Sequence, residues 1–125
     1  MEKPLKLKQT EDTPQIVFDI LKNEFIISGK SLPEDPAQFY EPIIKWISNY
    51  VKKPNPSTEF KINFEYFNSG SVKQIMVLLT KLEEIISTGK KIKIMWYYDK
   101  DDDLMEIKGH EFKNMLTIPF EMIVC

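Results

Sequence analysis

Few side chains in this sequence have the chemistry to carry a reaction. His110 is the only histidine and Cys125 the only cysteine. General acid–base or nucleophilic catalysis needs an activated partner within hydrogen-bond reach, and neither residue stands in a motif that supplies one. His110 falls on a weakly helical stretch, and Cys125 has no second thiol to pair with. Asp99, Asp101, Asp102 and Asp103 have the oxygen ligands that a hard cation such as Mg²⁺ or Ca²⁺ prefers. The run lacks the alternating ligands, turn glycine and distant glutamate of an EF-hand loop. These carboxylates are read as solvating a loop and favouring the positive end of the helix after it. Lys90, Lys91 and Lys93 read as a solvated strand edge, without the interleaved aromatics of a nucleic-acid platform. No catalytic residue, metal ligand or cofactor is expected.

The segment Asn68-Ser69-Gly70-Ser71 differs in kind, because it joins a strand to the start of a long amphipathic helix. Free amide groups and the helix dipole favour negative charge there. The segment has neither a Walker glycine pattern nor a Lys-Ser or Lys-Thr pair, so it is a poor nucleotide cradle. Two readings stand side by side. Ser69 or Ser71 caps the helix, or one of the two hydroxyls accepts a phosphate at a site already polarised for it.

The composition narrows the field further. The chain has 125 residues, 42% hydrophobic and 29% charged, with a formal net charge of −2. That length suits one domain with one core. Apolar runs are too short to cross a bilayer, and no signal-peptide pattern opens the chain. All 17 basic residues are lysines, and a protein without a guanidinium fork is poorly equipped for bidentate phosphate or base recognition. Neither nucleic-acid binding nor membrane insertion is expected, and one cysteine fits the reducing cytoplasm.

The elements that must position the Asn-Ser segment follow from periodicity. Residues 1–12 form a mixed-charge lead, with Leu5 and Leu7 alternating as in a short edge strand, and residues 13–125 form the domain. Ile16 to Ile20 and Phe25 to Ile27 read as a hairpin ended by Gly29. Asp35 suits a helix N-cap and Pro36 its first turn, and Phe39, Tyr40, Ile43, Ile44, Ile47 and Val51 share one helix face. Phe60, Ile62, Phe64 and Tyr66 alternate as a strand. Val72, Ile75, Met76, Leu79, Leu82 and Ile86 define a second helix, closed by Gly89. Ile92, Ile94, Trp96 and Tyr98 form a strand, Leu104 to Leu116 is weakly helical, and Ile118 to Val124 closes the chain. The order β-β-α-β-α-β-α-(β) implies an α/β fold. Its mixed sheet has four to five strands, parallel where helices cross over, with the helices mainly on one face.

Several stretches together resemble the SiaC family of regulatory phosphoproteins: Thr13-Pro14, Ser28 to Asp35, Phe64 to Lys73, Leu82-Glu83-Glu84 and Trp96-Tyr97-Tyr98-Asp99. The resemblance runs from about Thr13 to Phe120. It implies a single domain similar to the anti-sigma-factor antagonist (STAS) fold, acting as a binding switch rather than an enzyme. It also implies a partner Ser/Thr protein kinase that phosphorylates one loop hydroxyl, and a PP2C-type phosphatase that removes the phosphate. The unphosphorylated form would bind an effector such as a diguanylate cyclase, in cyclic di-GMP signalling. The family's acceptor follows the loop asparagine, which here places it at Ser69, with Ser71 as rival because Gly70 loosens the loop. The partner-binding surface expected around it comprises Asn68, Ser69, Gly70 and Ser71, with Glu34, Asp35, Tyr97, Tyr98 and Asp99. Two other readings remain: a STAS-like module for a small ligand or nucleotide, and a hydrolase using Ser69, which lacks the Gly-x-Ser-x-Gly elbow.

Overall fold

The computed structural model describes residues 2–125. Six strands form one sheet in sequential order: β1 (Leu5–Leu7), β2 (Gln15–Asp19), β3 (Glu24–Ser31), β4 (Ser57–Phe67), β5 (Lys91–Tyr98) and β6 (Phe120–Val124). The first two pairings are antiparallel and the last three parallel. Each parallel step is bridged by one helix: α1 (Pro36–Tyr50), α2 (Ser69–Leu82) and α3 (Asp103–Met115). Right-handed crossovers that always step in the same direction place all three helices on one face. The class and one-sided layering are those expected, with six strands where four to five were counted. The extra strand is β1, whose Leu5 and Leu7 lie opposite Phe18 and Ile16.

The core lies between the sheet and the helices. Phe18, Phe25 and Phe60 meet Trp46 and Tyr50 of α1 in one aromatic cluster. Trp96 gathers Phe64, Phe67, Phe112 and Phe120 in a second. Trp46 and Tyr50 are buried members of α1 that the apolar periodicity omitted.

Local expectations are corrected at Gly29, Tyr66, Gly89 and Ile86. Gly29 does not end the hairpin: β3 runs on to Ser31, with Gly29 at φ +107° beside a register shift. There Gly29 faces Phe64 and Lys30 faces Tyr66, so Glu65 is an extra residue on β4. The bulge reverses the alternation, leaving Tyr66 exposed and turning Phe67 into the core. Gly89 does not close α2 itself, because α2 tightens at Glu83 into a 3-10 turn, Glu83–Thr88, which Gly89 ends at φ +82°. Three residues per turn rather than 3.6 shift the inward face, so Ile85 is buried and Ile86 exposed.

Gly109 sits where α3 presses on the sheet. A Cβ there would lie 2.6 Å from Trp96 Cδ1 and 2.6 Å from Met122 Cε. Gly109→Ala gains up to about 1 kcal/mol in helix propensity but overpacks a rigid indole, at a cost of about 1–3 kcal/mol. Thermal unfolding should show a midpoint several degrees below the parent protein; an unchanged or raised midpoint would mean that α3 shifts freely.

Candidate functional site

The Asn-Ser segment is built at the carboxyl end of β4. Asn68, not a serine, is the N-cap of α2: its side chain accepts from Ser71 N at 2.9 Å. The same residue ties the segment to the β3–α1 connection. Asn68 N donates to the Ser31 carbonyl at 3.0 Å, and Nδ2 donates to the Pro33 carbonyl at 3.4 Å. Across this junction Gly70 lies so close to α1 that a Cβ would come within 2.8 Å of Pro36 Cγ. The two loops therefore form one surface, on which Glu34, Asp35, Ser69 and Gly70 are all exposed. Asp35 caps α1 by accepting from Gln38 N at 3.1 Å.

The two candidate hydroxyls have opposite environments. Ser69 occupies the first turn of α2, on the surface. Ser71 is fully buried. Its Oγ donates to the Ser31 carbonyl at 3.1 Å and accepts from Ser31 Oγ at 2.9 Å, while Ser31 Oγ lies 2.6 Å from the Tyr40 hydroxyl. Ser31, Tyr40 and Ser71 thus form a sealed polar plug beneath the loop, joining β3, α1 and α2. Burial pushes the Tyr40 hydroxyl up to about 12, and its hydrogen bond with Ser31 opposes the rise.

An acid whose folded pKa exceeds its unfolded value stabilises the fold fully below the unfolded pKa, here 10.0. That contribution is lost as pH climbs from there through about 12. Denaturant midpoints of the parent protein should fall across this window more steeply than those of Tyr40→Phe. Equal slopes would remove Tyr40 as the cause.

Of the remaining expected residues, Tyr97, Tyr98 and Asp99 end the neighbouring strand but do not share one environment. Tyr98 is buried on the helix side, and its hydroxyl donates to Glu106 Oε2 at 3.5 Å. Tyr97 is half-buried on the helix-free face, beside Ile26, Ser28, Lys61 and Asn63. Asp99 shapes the acidic loop by accepting from Asp101 N at 2.8 Å, and Asp102 caps α3 by accepting from Met105 N at 3.1 Å. Their link to the Asn-Ser segment is indirect, through the Trp96 ring packed edge-on against Phe67.

Sequence reasoning missed two contributors. Ser31 lies in the Ser28 to Asp35 stretch and Tyr40 on the apolar face of α1, but the sequence assigns neither to the site, because their pairing with Ser71 depends on strand register and burial. The lead also reaches the site: Leu32 N donates to the Asp12 carbonyl at 2.7 Å. Thr10, Asp12 and Thr13 line a recess with Glu34, Asp35 and Phe39. His110 and Cys125 are exposed, and among the described residues no three His, Cys, Asp or Glu side chains converge to hold a metal ion. No helix among the described residues is long and apolar enough to cross a membrane.

The one-sided mixed sheet of this α/β domain presents the Ser69 hydroxyl at the start of a firmly capped helix, and comparison with known proteins supplies its class. The SiaC family pattern, described as SiaC family regulatory phosphoprotein, matches residues 7–125; the chain belongs to this family. An uncharacterised protein of Pseudomonas aeruginosa strain UCBPP-PA14 is 26% identical over 116 residues, spanning 93% of this chain and 92% of that one. Apo-SiaC from P. aeruginosa has the same fold, with a TM-score of 0.90 at 24% identity over 98% of this chain and 100% of that one. A chain from the crystal structure of diguanylate cyclase SiaD in complex with its activator SiaC, also from P. aeruginosa, matches with a TM-score of 0.89. It is 25% identical and covers 97% of this chain and 99% of its own.

Proposed function

We propose that this protein is a non-enzymatic phospho-switch of the cytoplasm whose acceptor is Ser69. A Ser/Thr protein kinase phosphorylates it, a PP2C-type phosphatase reverses the modification, and the free form binds and activates a diguanylate cyclase. The observation that carries the acceptor assignment is the contrast between the two hydroxyls: Ser69 is open to a kinase, while Ser71 is fully buried and hydrogen bonded. Membership of a regulatory phosphoprotein family supports the switch. The SiaC–SiaD complex supports the class of effector. Asn68, Gly70, Glu34 and Asp35 form the docking surface with Ser69, and Tyr97 and Asp99 extend it along the next strand end. Tyr98 supports that end from within.

The mechanism is occlusion. A phosphate adds up to two negative charges beside Glu34 and Asp35, and docking on a surface that offers no matching cation must then desolvate them uncompensated. The recess next to the loop also disfavours the nucleotide-module reading, because Asp12, Glu34 and Asp35 line it and repel a phosphate chain. Peptide mass spectrometry of protein from its native cells tests the assignment. One phosphate on the peptide containing Asn68-Ser69-Gly70, absent from Ser69→Ala, is the expected result. A phosphate elsewhere, or none under any growth condition, overturns it.

A further inference from the structure

We infer that α3 is a self-association surface, on which two copies of the chain pack their α3 helices antiparallel about a twofold axis. Three of the large apolar side chains left exposed in the molecule lie on this one helix: Leu104, Ile107 and Met115, at 48%, 56% and 67% exposure. The face of α3 about a quarter turn away, with Met105, Gly109 and Phe112, is buried against the sheet, so the exposed stripe lies along the flank of the helix. At 3.6 residues per turn, Leu104, Ile107, Lys108, Glu111 and Met115 share one stripe, to which Ile107 adds apolar surface at the flank. Within the stripe Lys108 Nζ lies 3.4 Å from Glu111 Oε1.

The order of residues in that stripe identifies the occupant. Leu104, Lys108, Glu111 and Met115 follow one another in steps of four, three and four. Such a spacing is a palindrome, so a second α3 laid antiparallel over the first falls into register with it. The axis then passes between Gly109 and His110. Leu104 meets Met115 of the second copy, Lys108 meets Glu111 of the second copy, and both contacts recur reciprocally. This is the self-complementarity that an isologous interface requires. Parallel packing would set Lys108 on Lys108 and Glu111 on Glu111, and is disfavoured by like-charge repulsion.

The central pairs join into a ring of four alternating charges capped at both ends by apolar contacts. Two helices of this length bury less than the roughly 1,200 Å² at which stable complexes begin, so the dimer is transient and concentration-dependent. Ser69 belongs to α2 and lies outside the stripe, so this association does not depend on the switch assignment.

Sedimentation equilibrium of the full chain, from tens of micromolar to millimolar concentration, tests the inference. A reversible monomer–dimer equilibrium is expected. Leu104→Glu should raise the dissociation constant at least about tenfold, a change of 1.4 kcal/mol. Lys108→Glu and Glu111→Lys should each weaken the dimer, whereas the double variant, which restores opposite charges both within and between copies, should recover it. Circular dichroism confirms that each variant is folded. A chain that stays monomeric throughout, or a dimer indifferent to Leu104→Glu and to the single charge changes, overturns the inference. So does a strict monomer whose Leu104→Glu form loses only a different protein partner.

Discussion

On the proposed switch, phosphate on Ser69 is expected to weaken binding of the effector cyclase by about thirtyfold or more. An unpaired charge forced into a desolvated interface typically costs about 2–5 kcal/mol, and each 1.4 kcal/mol is tenfold in affinity. The surface that would receive the phosphate already carries the Glu34 and Asp35 carboxylates on its other loop, and α2 has no acidic residue in its first turn to be displaced. The modified chain therefore remains folded while its docking surface becomes strongly anionic. Titration calorimetry of the free protein, the phosphoprotein and Ser69→Ala against the cyclase provides the measurement. Ser69→Ala should bind like the free form and remain bound when kinase is active. A phosphoprotein that binds as tightly as the free form would remove charge occlusion as the mechanism.

The second large effect is expected two residues along. Ser71→Asp places a carboxylate at a site with no measurable solvent exposure, among hydroxyls and a carbonyl and without a cation. Leaving a buried charge uncompensated costs about 3–5 kcal/mol, a large share of the 5–15 kcal/mol that holds a typical domain together. Ser71→Asp should lower the denaturation midpoint severely or accumulate as insoluble protein, while Ser69→Asp keeps a midpoint near that of the parent. Denaturant melts of both variants side by side make the comparison. Equal stability of the two would mean that the loop opens readily and that Ser71 is accessible after all.

The elements that carry long, regular periodicity were legible in the sequence. The three helices and the alternating runs of β4 and β5 lie where the apolar spacing puts them, and Asp35-Pro36 begins α1 as capping chemistry requires. What escaped was everything set by a local departure from a regular period. The extra residue at Glu65 reverses the facing of Tyr66 and Phe67, and the 3-10 turn exchanges Ile85 for Ile86. Alternation counts cannot register either change. In the site, the loop was legible because Asn68-Ser69 lies between a strand and a helix, while the choice of Ser69 over Ser71 came from the family resemblance. The role of Ser71 was not legible, because its burial depends on Ser31 and Tyr40, which reach it through pairing of β3 with β4 and packing of α1 on α2. By contrast, the opposite facing of Tyr97 and Tyr98 follows directly from the alternation of Ile92, Ile94, Trp96 and Tyr98.

The sealed plug beneath the loop also bears on how fast such a switch can respond. Ser31, Tyr40 and Ser71 fasten the start of α2 to β3 and α1, so the backbone under Ser69 is braced on two sides against a change of surface charge. A signal carried by charge on a braced support needs no conformational step of its own. On the proposed switch, the interval between stimulus and output would then be set by the turnover of the enzymes that add and remove the phosphate and by the residence time of the effector.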